Sequence, residues 1–382
     1  MNVSKYKNTY VLYAVLMQPL LVVFQFLLIF VLGIPEEQTT LYRVLMTAVP
    51  LSGAIVICFA RRPKLFLVTY VIVLFFLMCQ SILYPVNASM IWSSTTRFLL
   101  PIILPSALCL ISVKPKLSQI DNVLLKISWA IVGLMGIFVL AFFTGNTVAF
   151  GYNMPLAYAL LLPTLTLYKN IGLYSKVAFV FLLLCMLIFG SRGPLAVACL
   201  YIIYDLIQTS KKNLLILVML LFLTVSILPL LADQLDGLGI SSRTLNFILS
   251  GDFGSAEGRD EIYPMCIKLI NENWFAGVGI FGDRIHLDEE CHNFILEILV
   301  NYGVILGTLI LVYIGLFFLI SYIKLDDVRR NYFAKFVIAF FIPLMVSDSY
   351  LISIYFGLFW GLILVLNNER KFNSCARINH VI

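Results

Sequence analysis

Residues 294–323 read FILEILVNYGVILGTLILVYIGLFFLISYI, a run in which Glu297 is the one charged side chain. As a helix rising ~1.5 Å per residue it is longer than the ~30 Å hydrocarbon core of a bilayer. A helix on a soluble domain keeps a polar face. This run has none, so it reads as a transmembrane helix. Working outward, similar apolar runs fall at residues 10–32, 44–60, 65–84, 98–113, 123–143, 152–168, 177–190, 194–207, 214–231, 333–346 and 351–366. Runs shorter than ~20 residues borrow interfacial neighbours to cross. Composition agrees: 61% of residues are apolar and 12% charged, where soluble domains carry ~25% charge. Mean hydropathy is +0.99. The expectation is an all-α, polytopic integral membrane protein of about twelve transmembrane helices, a single membrane domain over residues 1–382. Lys5 and Lys7 precede a first run that is too long for a signal peptide and is followed by no small-x-small cleavage site, so that run reads as a retained helix.

The largest hydrophilic stretch, residues 232–292, is expected to be a long extracytoplasmic loop carrying short amphipathic helices. The spans and this loop leave no room for a cytosolic nucleotide-binding domain. No G-x-x-x-x-G-K-[ST] motif occurs, which argues against an ATP-driven pump, and no D-x-D motif supports metal-dependent use of nucleotide sugars.

Loop charge orients the chain. With both termini cytoplasmic, most of the 26 basic residues fall inside, among them Lys5, Lys7, Arg61, Arg62, Lys64, Lys114, Lys116, Lys169, Lys176, Lys211, Lys212, Lys324, Arg329, Arg330 and Lys335. Every inside loop is then basic, as the positive-inside rule requires. Most of the 20 acidic residues fall outside. An acidic outer face excludes nucleic acid as a partner and leaves membrane lipid as the surrounding one. The basic residues that stay outside are Arg43, Arg97, Arg192, Arg243, Arg259 and Arg284 with a single lysine, Lys268. Guanidinium grips phosphate through paired donors and keeps its charge beside apolar surroundings, so this bias points to an anionic ligand.

Particular residues sharpen that reading. Gly190-Ser191-Arg192-Gly193-Pro194 joins two apolar runs, and the start of a helix offers free amides and a positive dipole end to an anion. Arg259 precedes Ile262, Met265, Cys266, Leu269 and Ile270, a one-sided helical spacing that reads as an amphipathic helix on the outer leaflet, with Trp274 and Phe275 as interface anchors. Pro264 would kink that helix or mark its start. Gly277-Val-Gly279-Ile-Phe-Gly282 matches G-x-G-x-x-G, but without a preceding strand it reads as a flexible turn and not a dinucleotide site. His286, Asp288, Glu289, Glu290 and His292 lack the spacing that fixes a metal on one helix face, so no metal or cofactor is expected. His292 opens the decisive run, where an imidazole can take a proton from a hydroxyl or simply end the helix in a hydrogen bond. Glu297 lies within the run and needs a partner such as an arginine. Cys266 and Cys291 share the outer side and either pair or stay free.

The order of these elements (Gly-Ser-Arg-Gly at 190–193, Arg259 in a long outer loop, Asn-Trp-Phe-Ala-Gly-Val-Gly at 273–279 and His-Asn-Phe-Ile-Leu-Glu opening the helix at 292) resembles the O-antigen polymerase and ligase superfamily of bacterial membrane glycosyltransferases. The resemblance covers mainly residues 185–320. It implies metal-independent transfer of glycan from an undecaprenyl-diphosphate carrier at the outer face of the inner membrane. It further implies Arg192 and Arg259 as diphosphate ligands and His292 beside the acceptor, with Asn293 and Glu297 as acceptor or pairing residues. A chain-length regulator protein is an implied partner. Polymerase is favoured over ligase. A lipid-linked glycan flippase is the alternative from another class, in which Glu297 or Asp348 would couple protons. The absence of paired membrane histidines excludes a haem-bearing subunit.

Overall fold

A computed structural model describes residues 3–145, 153–189, 191–209 and 259–368. It is all-helical, with no strand among the described residues. In chain order come α1 (Val3–Leu16), α2 (Gln18–Phe30), α3 (Glu36–Arg61), α4 (Pro63–Leu83), α5 (Ala88–Ser94), a π-helical stretch Thr95–Ile103, and α6 (Leu104–Val113). Then follow α7 (Leu117–Phe143), α8 (Met154–Lys169), α9 (Leu173–Phe189) and α10 (Arg192–Thr209). Beyond these lie α11 (Arg259–Glu272), α12 (Gly282–Leu287), α13 (Phe294–Lys324), α14 (Asp327–Phe336), a second π-helical stretch Val337–Phe341, α15 (Ile342–Val346) and α16 (Ile354–Asn368).

Apart from residues 214–231, which lie outside the described residues as do residues 232–258 of the expected loop, each apolar run read from the sequence falls on helix, 10–32 being divided between α1 and α2 and 333–346 among α14, the second π stretch and α15. Among the described residues five helical stretches are long and apolar enough to cross a membrane, or six if the pair on either side of Met17 is one span. Residues 173–189, 193–208 and 354–368 are shorter apolar helices. Only 11% of the apolar window of α13 is buried against protein. Its Leu309, Tyr313, Leu316 and Ile320 and the Val71, Phe75 and Ile82 of α4 are exposed. Apolar side chains stacked in helical register on an outer surface are solvated by lipid tails, since water would penalise every one of them.

The chain forms two compact units. One comprises residues 1–15, 50–117 and 256–382, the other residues 16–49 and 118–255. In the second, α8 is the central helix: Leu156, Leu160, Leu161, Leu165 and Leu167 are fully enclosed, and it packs against α2, α9 and α10. Asn153 starts α8 by accepting from the Leu156 N–H at 2.8 Å. Phe26, Phe138 and Phe189 interlock edge-on, with ring centroids 4.7 and 4.9 Å apart. In the first unit, α16 packs against α6 and the preceding π stretch, and the small size of Gly357 and Gly361 lets the backbones approach. Phe318, Phe341, Phe359 and Trp360 fill the space between α13 and α16. Tyr70 donates to the Leu100 carbonyl at 2.7 Å, beside Pro101, which has no N–H to offer its own helix.

Candidate functional site

α11 begins at Arg259, so Pro264 lies inside the helix and does not mark its start. Ile262, Cys266, Leu269 and Ile270 are buried, but against Val278, Cys291 and Val300 of the same unit. The apolar face expected to lie on the leaflet is therefore used up inside the protein, and Met265, Ile267, Trp274 and Phe275 remain exposed. Arg259 stands one turn before Ile262 and Tyr263, at the start of the packed face.

The glycine stretch that follows is not a flexible turn. α13 breaks at Gly303 (φ 73°, ψ 175°), a conformation essentially restricted to glycine. The carbonyls freed around the break are taken by the loop: the Val278 N–H donates to Val300 at 2.9 Å and the Gly279 N–H to Asn301 at 3.0 Å. The Val304 N–H donates back to Trp274 at 2.6 Å. A Cβ on Gly277 would sit 2.5 Å from the Gly303 nitrogen, so the two backbones cross in direct contact. From the other side Tyr84 donates to the Ala276 carbonyl at 2.9 Å, and Asn87 to Val278 at 2.8 Å. Residues 276–280 are thus clamped between the end of α4 and the break in α13.

This clamp delivers a buried charged cluster. Arg284, with 8% of its side chain exposed, lies 3.0 Å from Glu290, 3.8 Å from Asp283 and 3.9 Å from Glu297. Its guanidinium carbon sits 5.0 Å from the Phe281 ring centroid. Ser349 donates to Glu297. The partner that Glu297 needs is therefore Arg284, counted in the sequence only among the outer arginines. Its pairing with Glu290 is ionic, because neither terminal nitrogen of Arg284 makes an aligned hydrogen bond. Burial opposes the Arg284 charge, but the three carboxylates more than offset it and hold its pKa above the ordinary value. Burial pushes the Asp283 carboxyl up, against the pull of Arg284. Glu290 turns inward to this cluster, whereas His286, Asp288 and Glu289 are exposed.

His292, two residues after Glu290, has φ 49°, and Phe281 and Asp288 also take positive φ. Such residues cost on the order of 1–3 kcal/mol each and persist where the surroundings over-determine them. His292 does not cap α13. Asn293 does, its side chain accepting from the Ile295 and Leu296 N–H groups at 3.0 and 3.2 Å. The Nδ1 of His292 is sealed from solvent without a hydrogen-bond partner, as are Glu297 Oε2 and Asn301 Oδ1. Asn301 donates to the Tyr350 hydroxyl at 3.0 Å. Burial pushes the Asp348 carboxyl up, against the hydrogen bond it accepts from the Ser349 N–H at 2.9 Å. The sequence signal for Asp283, Arg284 and Glu290 was Glu297 itself, a carboxylate in an apolar run that demands a counter-charge.

The first unit thus holds Arg259, His292, Asn293 and Glu297. Arg192 opens α10 in the second unit, directly after the buried Ser191. Gly190 lies outside the described residues.

Residues 177–312 match the family model described as O-antigen ligase. The matched stretch includes Ser191-Arg192-Gly193, Arg259 and the His292–Gly303 segment, and it supports the O-antigen ligase and polymerase superfamily without separating the two activities. No curated protein and no solved structure matches the chain. Helices long and apolar enough to cross a bilayer indicate a membrane protein, and the family match is confined to residues 177–312 of the 382.

Proposed function

We propose that the chain is a surface-polysaccharide polymerase, joining undecaprenyl-diphosphate-linked repeat units at the outer face of the cytoplasmic membrane. The observation that carries this reading is His292, held in a strained backbone at the mouth of α13 with its Nδ1 buried and unpartnered. A buried polar atom without a partner costs about 1–3 kcal/mol, a cost that substrate or ordered water in the site would relieve. The family match over the same residues supports a lipid-linked glycan as the substrate class.

In the proposed reaction an acceptor sugar hydroxyl attacks the anomeric carbon of the donor. Its proton passes to His292 as the bond to the carrier diphosphate breaks, and the diphosphate leaves with the electron pair. Arg192 and Arg259 neutralise the leaving group, so neither metal nor ATP is required. Asn293 fixes the start of α13, and Arg284 with Glu297 braces it from behind. A second reading, ligase, is favoured by the matching family's being described as O-antigen ligase; it uses the same donor and a different acceptor. Lipid-linked glycan extracted from a strain lacking the gene tests both. Single capped repeats support the polymerase. Long chains stranded on carrier support the ligase, and units retained on the inner leaflet sink both in favour of a flippase.

A further inference from the structure

We propose that Cys266 and Cys291 form a disulfide in the mature protein, tying the Arg259 helix to the residue that precedes His292. The two sulfurs lie 3.3 Å apart, and both side chains are fully enclosed. Apart from Asp283, which accepts from the Cys291 N–H, their surroundings are apolar: Ile262, Leu269, Ile270, Val278 and Val300. A thiol is a weak hydrogen-bond donor, so two free cysteines would gain little here over alanine or valine. Twenty-five positions apart in sequence, they nonetheless meet sulfur to sulfur. The chain between them bears the positive-φ residues Phe281 and Asp288 and the buried Asp283–Arg284 pair. That is a costly conformation, and a covalent closure of the loop restricts the alternatives open to the unfolded chain. The other described cysteines, Cys58, Cys79, Cys109, Cys185 and Cys199, lie on apolar helices.

The inference rests on the reading that this segment is extracytoplasmic, where disulfides form and persist. The oxidant is a disulfide donor, either a protein or a small molecule. One cysteine thiolate attacks a donor sulfur and expels the other as thiolate. The second cysteine then loses its proton, attacks the first cysteine's sulfur in the mixed disulfide and expels the remaining donor thiolate. Two protein thiols and one donor disulfide thus become one protein disulfide and two donor thiols. Both sulfurs are sealed in the folded unit, so exchange precedes closure of the core.

The consequence is positional. Cys291 directly precedes His292, and its N–H donates to Asp283 at 3.4 Å. A bond to Cys266 would lock the register of α11 against this loop and hold Arg259 and His292 to one rigid piece.

The test uses the full-length protein, acid-trapped from cells, denatured and treated with a maleimide mass tag before and after reduction. Two additional thiols should become reactive on reduction, and mass spectrometry of the digest should recover a peptide containing Cys266 linked to one containing Cys291. The paired variant Cys266→Ala/Cys291→Ala should show no reduction-dependent thiols. Glycan transfer by wild type purified from cells grown with reductant, so that the thiols never pair before the core closes, should fall below that of wild type from untreated cells, whereas that variant should not differ between the two growths. In the same cells an impermeant reagent is applied to protein carrying Asp288→Cys. Labelling of Asp288→Cys from outside with all native thiols reactive before reduction would overturn the disulfide and leave the proposed function standing. Protection of Asp288→Cys until lysis would remove the extracytoplasmic reading and the disulfide with it.

Discussion

His292 and the two arginines divide the chemistry by type, so their variants should fail differently. An imidazole that removes the acceptor proton contributes roughly 10²–10⁴-fold in turnover. His292→Ala should lose that much while donor binding survives. Transfer of purified lipid-linked repeat units, measured beside donor binding, decides this; an unchanged rate would take His292 out of the reaction. Arg192→Lys and Arg259→Lys keep the charge but lose the paired donors that grip a diphosphate. Each should lose most turnover without lowering the amount of protein in the membrane, and normal chain lengths from either variant would exclude that residue. Asp283 yields a stability prediction of known sign. Its carboxyl is pushed up by burial, so the folded protein holds the proton more tightly than the unfolded chain. Its contribution is fully present below the ordinary aspartate value of about 4 and is lost as pH rises through the higher folded value. In detergent, the thermal midpoint of wild type should fall relative to Asp283→Asn over that interval; parallel curves would refute it. Arg192, Arg259, His292 and Glu297 stand out in the sequence as candidates because arginine, histidine and a lone carboxylate are rare in an apolar chain, and of these the structure gives Glu297 a partner. Arg284 was not, because in sequence it sits among surface-like acidic residues, and only the fold turns it inward between Glu290 and Glu297.

At the scale of elements, hydropathy located the helices because lipid imposes one requirement on all of them: every backbone polar group must be satisfied within the chain. It could not locate the break in α13, since the run 294–323 stays strongly apolar on both sides of Asn301-Tyr302-Gly303 and holds no proline. Nor could it show that Gly277 and Gly303 are one feature, because glycine spacing is equally compatible with a loose turn. The amphipathic pattern of α11 was read correctly as a helix with one apolar face; what that face meets, lipid or Val278 and Val300, depends on the crossing. The crossing is therefore the element to test. A Cβ on Gly303 would lie 2.7 Å from the Phe275 carbonyl carbon and oxygen, and its backbone would be strained by on the order of 1–3 kcal/mol before any overlap. Gly303→Ala should lower the thermal midpoint sharply or abolish recovery of monodisperse protein. Gly315→Ala, on the same helix with nothing within 4 Å of the new methyl, should be neutral or slightly stabilising. Equal behaviour of the two variants would mean that the clamp does not form.

For the whole molecule, the proposed chemistry requires the Arg259–His292 segment to face the side where lipid-linked repeat units are assembled into chains. α13 makes this testable without knowing the total number of spans. Its 31 residues extend roughly 46 Å at ~1.5 Å per residue, more than the ~30 Å of hydrocarbon even with a break. Asp288, exposed before the helix, and Asp327, exposed after it, must then lie on opposite sides. Which side is which follows from charge. Lys324, Arg329, Arg330 and Lys335 cluster after α13, and the positive-inside rule counts basic residues and not net charge, so Asp326 and Asp327, though paired with Arg329 and Arg330, do not cancel the signal. Asp288 is exposed and serves as a reporter, whereas Asp283 in the same loop is fully buried. Asp288→Cys should react with a membrane-impermeant maleimide in intact cells, and Asp327→Cys should react only after lysis. Reaction of both from one side would mean that α13 does not cross. The reverse pattern would put His292 in the cytoplasm, away from the proposed acceptor, and the polymerase and ligase readings would fall together.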